Sequence, residues 1–67
     1  MNNGGYKMVK VYKTFMEASS DLPNARLELS HGGEQEVFVE HHTLGYVIAE
    51  FKVINGEHVF QRYYKGE

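Results

Sequence analysis

An α+β fold, one amphipathic helix packed on a four-stranded antiparallel meander, is predicted by three features of the chain. Asn55-Gly56 sits between two alternating, β-rich runs. Asn-Gly is the strongest short-range hairpin signal, because a type I′ turn needs φ > 0 at both central residues. Residues Tyr6–Ser20 separate into an apolar and a polar half on a 3.6-residue wheel. Between Pro23 and Gly45 the sequence alternates in short runs broken by turn residues.

Residues 1–5 end in Gly4-Gly5 and read as a flexible N-terminus, leaving 6–67 as a single domain. In the helix Met8, Val9, Val11, Tyr12, Phe15, Met16 and Ala18 share one side, and Lys7, Lys10, Lys13 and Glu17 the other. Leu22-Pro23 should end it, since the residue before proline avoids the α region. A competing reading makes residues 8–12 a strand and 15–21 a short helix, giving a β-α-β-β-β-β order. Met8–Tyr12 is β-prone, and Thr14 to Glu17 has the form of a capping box. Four strands follow: Ala25–Ser30, Glu36–His42, Tyr46–Ile54 and Glu57–Tyr64.

The Asn55-Gly56 turn sets Val53 against His58, Phe51 against Phe60, Ala49 against Arg62 and Val47 against Tyr64. One face then carries Val47, Ala49, Phe51, Val53, Phe60 and Tyr64 and reads as the core. A three-residue loop at Thr43-Leu44-Gly45 adds Val37 and Val39 to that face. A two-residue loop would place Glu36, Phe38 and Glu40 there instead, burying two carboxylates at several kcal/mol each before pairing. The three-residue loop is therefore expected, with Leu27 and Leu29 completing the core.

The second face retains Phe38, Tyr46, Ile48 and Tyr63 among Glu36, Glu40 and Glu50. An open antiparallel face is ordinarily polar, so this acidic-aromatic surface is the expected site for a partner protein, with the glutamates selecting a basic one. A chain of 67 residues without cysteine has neither a disulfide framework nor a large core, and self-association into a homodimer would supply the missing burial.

Composition excludes more than it identifies. A net charge of −2 gives no reason to expect nucleic acid or an anionic membrane. The nucleic-acid alternative rests on the Lys7, Lys10 and Lys13 stripe together with the sheet aromatics. There is no apolar run of transmembrane length and no signal core, so the cytoplasm is the default location. His41 and His42 are adjacent on a strand and point to opposite faces, while His31 and His58 lie at separate turns, so no metal site is expected. No nucleophile-base pair, phosphate loop or cofactor motif stands out. The expectation is a non-enzymatic interaction or regulatory module without a cofactor.

Overall fold

The computed structural model describes residues 9–29 and 35–66. Two short helices, α1 (Phe15–Ser20) and α2 (Leu22–Leu29), precede three strands, β1 (Gln35–His42), β2 (Gly45–Ile54) and β3 (Glu57–Tyr63). The sheet is antiparallel in the order β1-β2-β3. Both helices lie on one of its faces, over β1 and β2 and not over β3. No described helix is long and apolar enough to cross a membrane. The expected Gly4-Gly5 tail and the start of the expected long helix lie outside the described residues.

The single helix over 6–20 gives way to an extended segment and a short helix. Thr14 caps α1: its Oγ1 accepts from Glu17 N–H at 3.1 Å, and Glu17 Oε1 accepts from Lys13 N–H at 3.2 Å. A helix cannot run through a residue whose backbone is extended, as Thr14 is at φ −130°, ψ 156°. Upstream, Tyr12 forms a bridge with Tyr46: each N–H donates to the other's carbonyl at 2.8 Å. Lys10 N–H donates to the Tyr64 carbonyl at 3.1 Å. The segment thus covers the edge of β2 where β3 has run out. This is nearer the competing reading, although the described residues 9–12 supply one isolated bridge rather than a full strand.

The expected strand Ala25–Ser30 is, over its described part, helix α2. Pro23 does not end a helix but sits in the first turn of the next one, where its missing N–H breaks no intrahelical bond. Leu22, Ala25 and Leu29 are spaced three and four apart and face the sheet. Leu27, expected in the core, is 81% exposed.

The Asn55-Gly56 hairpin forms as expected, with φ of 54° and 80° at the two turn residues. Ile54 faces Glu57, Val53 faces His58 and Phe51 faces Phe60. Beyond that a bulge shifts the ladder, so Glu50 faces Arg62 and Ala49 faces Tyr63. The expected Ala49–Arg62 and Val47–Tyr64 pairs are therefore displaced by one position. The β1–β2 turn holds two residues, Thr43 and Leu44, not three: His42 faces Gly45, Phe38 faces Ala49 and Val37 faces Glu50. Gly45 opens β2 at φ 148°, and a Cβ there would sit 2.3 Å from the Tyr12 carbonyl oxygen. Its glycine is required by the closeness of the N-terminal segment, not by a bulged loop.

This register reverses the two faces. The helices bury Ile48, Val37 and Tyr64 against Ala18, Ala25, Leu29 and Tyr12. Val47, Ala49, Phe51 and Phe60, expected as core, lie on the side without helices. The premise that Glu36 and Glu40 would be buried by a two-residue loop fails because their face stays open. The buried carboxylate is instead Glu50, fully enclosed beneath the helices. Arg62 Nε lies 2.7 Å from Glu50 Oε1. Its N–H is not aligned on the oxygen, however, and neither carboxylate oxygen accepts a well-directed hydrogen bond from a described residue. Such a pair holds together mainly because separating it would strand a charge in a low-dielectric site.

Two stability predictions follow from the face assignment and from the ion pair. Ile48→Ala should cost roughly 2–5 kcal/mol, as expected for a fully buried aliphatic side chain. Phe60→Ala, on the open face, should cost about 1 kcal/mol or less. Urea denaturation of the two variants checks this, and comparable losses would show that the faces are not distinguished. Arg62→Ala should cost about 2–3 kcal/mol by leaving Glu50 unpaired, and adding Glu50→Met should restore most of it.

Candidate functional site: the open face of the sheet

The face without helices is built by strand alternation. β1 contributes Glu36, Phe38, Glu40 and His42; β2 contributes Val47, Ala49, Phe51 and Val53; β3 contributes His58, Phe60 and Tyr63. Val47 and Ala49 are completely buried although no described helix covers them. Rings from the two flanking strands arch over them instead. The His42 and Tyr63 rings meet at 6.4 Å from opposite sides of β2, and Phe38 meets His58 at 5.6 Å in the same way. Phe51 links Phe38 at 5.7 Å to Phe60 at 5.9 Å, and Phe60 continues to Tyr63 at 4.8 Å. These are edge-to-face and tilted contacts of the kind aromatic quadrupoles favour. The roof itself stays wet: Phe38 is 42% and Phe60 45% exposed.

Charge on this face is sparse. His58 Nε2 lies 2.9 Å from Glu36 Oε1, so Glu36 already has a partner across β2. Glu40 is the other carboxylate. The cationic residues of the strands, Lys52 and Arg62, belong to the helix side. The open face therefore offers rings and a small negative charge, without cations to meet phosphates.

The seven residues singled out from sequence do not form one surface. Phe38, Tyr63, Glu36 and Glu40 lie together on the open face. Tyr46, Ile48 and Glu50 lie on the helix side: Tyr46 packs edge-on against Phe15 at 6.0 Å and beside His41 at 5.2 Å, while Ile48 and Glu50 are fully buried. Phe51, Phe60, His42 and His58 complete the open face, against the expectation from alternation that the two phenylalanines belong to the core. β2 carries apolar side chains on both faces, with Glu50 and Lys52 among them on the helix side, and the described helices cover only one face. Of the lysine stripe, Lys7 lies outside the described residues, Lys10 is paired with Asp21 at 3.4 Å, and Lys13 is exposed on the extended segment. Lys10 and Lys13 therefore do not form a helical face. His31 also lies outside the described residues. Among the described residues no three metal-ligating side chains converge.

A second polar cluster lies where the N-terminal segment meets both helices. Tyr12 Oη donates to Asp21 Oδ2 at 2.5 Å, and Asn24 Nδ2 donates to Asp21 Oδ1 at 2.7 Å. The Lys10 ammonium stands 5.3 Å from the Tyr12 ring centroid. Burial, then the hydrogen bond to Asp21, raises the Tyr12 phenol well above the ordinary tyrosine value. Burial also raises Tyr64, with Asp21 and Glu28 adding to it. The hydrogen bonds from Tyr12 and Asn24 hold the Asp21 carboxyl below its ordinary value. The cluster ties the extended segment to the α1–α2 junction. Its tyrosine is a donor locked onto a carboxylate rather than a group poised for proton transfer.

Against known proteins, the chain matches no family model, no curated protein and no solved structure.

The cluster gives a signed pH dependence. A phenol whose folded value is raised contributes stability below the ordinary value of 10.0, and loses it as pH climbs toward the folded value. A lowered carboxyl contributes stability above 3.8 and loses it as pH falls through the folded value. Thermal unfolding across pH should show stability decreasing at both extremes, and Tyr12→Phe should make both limbs shallower. An unchanged alkaline limb in Tyr12→Phe would show that Tyr12 is not locked to Asp21.

Proposed function

We propose that this chain is a non-enzymatic protein-interaction module that docks a partner through the open face of its sheet. The observation that supports the reading is the partly exposed aromatic roof over β2. A water-facing sheet normally carries polar side chains, and contiguous exposed rings usually mark contact surfaces. Phe38, Phe60 and Tyr63 are the anchors, because large and rigid side chains dominate binding energy at such sites. Glu36 and Glu40 line one flank and set orientation more than affinity. Tyr46, Ile48 and Glu50 have no direct part in docking and serve to hold the sheet to its helices.

A photoreactive phenylalanine analogue placed at Phe60 should crosslink to protein in an extract of the producing cell or to a second copy of the chain. The same group at Leu27, which is more exposed but lies on α2, should not. Phe38→Ser should abolish the Phe60 crosslink while the far-ultraviolet circular dichroism is kept. Equal crosslinking from Phe60 and Leu27 would remove the open face as the docking surface.

A further inference from the structure

We infer that the occupant of the open face is a second copy of the chain, packed sheet against sheet about a two-fold axis running along β2. The inference rests on the docking role proposed for this face and adds the identity and geometry of the partner. Three observations carry it: the face's charge layout, its area and its apolar centre.

Charge layout separates the two ways a sheet can pack on its own copy. An axis across the strands lays β1 over the other β1 in reverse. With the Glu36, Phe38 or Glu40 row central this sets a carboxylate of one copy over a carboxylate of the other, and like charges in apposition oppose association. An axis along β2 lays β1 over the other copy's β3. The two Glu40 side chains then stand on opposite flanks, about 10 Å apart laterally from the strand spacing alone, beyond the screening length of about 8 Å at physiological salt. In this arrangement Phe38 faces the partner copy's Tyr63, and Phe51 faces its counterpart on the axis. Aligned sheet packing of this kind is the ordinary geometry of β-sandwiches.

The area fits an association of modest strength. The outward positions of β2 from Gly45 to Val53 span about 27 Å, and three strands span about 14 Å. That is a footprint of roughly 400 Å² per copy. The total of roughly 800 Å² is on the scale of weak, transient contacts.

The part of the central column left for a partner is Phe51 and Val53, both half-buried, since Val47 and Ala49 already lie beneath the rings; it carries no polar side chain, as in the apolar centres of homodimer interfaces. A strongly basic partner is less well matched. Of the three glutamates that would have selected it, Glu50 is buried on the other side and Glu36 is bonded to His58. A nearly neutral apolar face is complementary to itself.

The test is sedimentation velocity from nanomolar to high micromolar chain concentration, with circular dichroism and crosslinking beside it. The expected result is a monomer–dimer equilibrium in the micromolar range. Phe60→Ser and Phe38→Ser should each shift dissociation at least about tenfold toward monomer while the chain stays folded. Glu40→Lys should leave it within about threefold, the scale of an exposed charge. Phe51→Cys, the sole thiol in this cysteine-free chain, should crosslink to a second copy with a short bismaleimide, and Leu27→Cys should not. The crosslink keeps the test decisive if a serine variant unfolds. A marked tightening by Glu40→Lys would overturn the along-strand axis, and a dimer that survives both serine substitutions would overturn the face. A monomer at every concentration overturns the homodimer; if Phe60 still crosslinks to another protein, the docking role stands without it. A monomer with no Phe60 crosslink overturns both.

Discussion

The rest of the structure depends on one constraint. The middle of β2 is buried on both of its faces, and the described helices cover only one. Val47, Ile48, Ala49 and Glu50 are four consecutive buried residues, which in an alternating strand means burial on both sides. On one side Ala18, Ala25 and Leu29 supply the cover. On the other the sheet covers itself, with rings from β1 and β3 folding across the central strand. That second arrangement buries the small side chains of Val47 and Ala49 but leaves the rings in water. The exposed aromatic surface is thus a direct consequence of too little helix for a two-sided strand.

The choice of face has an electrostatic consequence. Placing Ile48, Val37 and Tyr64 under the helices also places Glu50 there, since it shares their side of the sheet. The bulge in β3 brings Arg62, rather than Gln61, opposite Glu50. Bulges re-aim side chains and blunt exposed strand edges, and this one does both: it delivers the counter-ion and distorts an edge otherwise open to pairing. The opposite choice of face would have buried Glu36 and Glu40, two carboxylates in place of one, with His58 beside Glu36. The observed face is the cheaper of the two in desolvation.

The N-terminal segment closes the remaining gap. β3 leaves the edge of β2 before Tyr46, and residues Lys10–Tyr12 take its place by backbone hydrogen bonds. Gly45 permits the approach, and the Tyr12–Asp21 bond ties the segment to the helices. Sheet edge, helix junction and chain entry are therefore joined at one end of the molecule. At the other end the Asn55-Gly56 hairpin projects past the helices, leaving Ile54 and Val59 exposed.

Local chemistry made several elements legible from sequence alone. Asn55-Gly56 specified its turn and the nearest pairs because only residues tolerant of positive φ adopt a type I′ turn. Thr14 and Glu17 specified the start of α1 through the cap they form. The antiparallel α+β class was readable in the same way; the composition of the aromatic face was not, since of the expected Phe38, Tyr46, Ile48 and Tyr63 only Phe38 and Tyr63 share it. Which face is open was not, because alternation assigns residues to two sides without saying which side the helices take. The β1–β2 loop length was inferred from the assumption that the Val47 face is buried, and it fell with that assumption. The alternation of Leu27 and Leu29 reads as a strand, whereas the structure uses Leu22, Ala25 and Leu29 at helical spacing. Packing against the sheet decides between them, since eight residues have too little intrinsic helix stability to settle it locally. The aromatic residues were thus legible, and which of them share a surface was decided only by long-range packing, through the competition between the two faces of one sheet for one pair of helices.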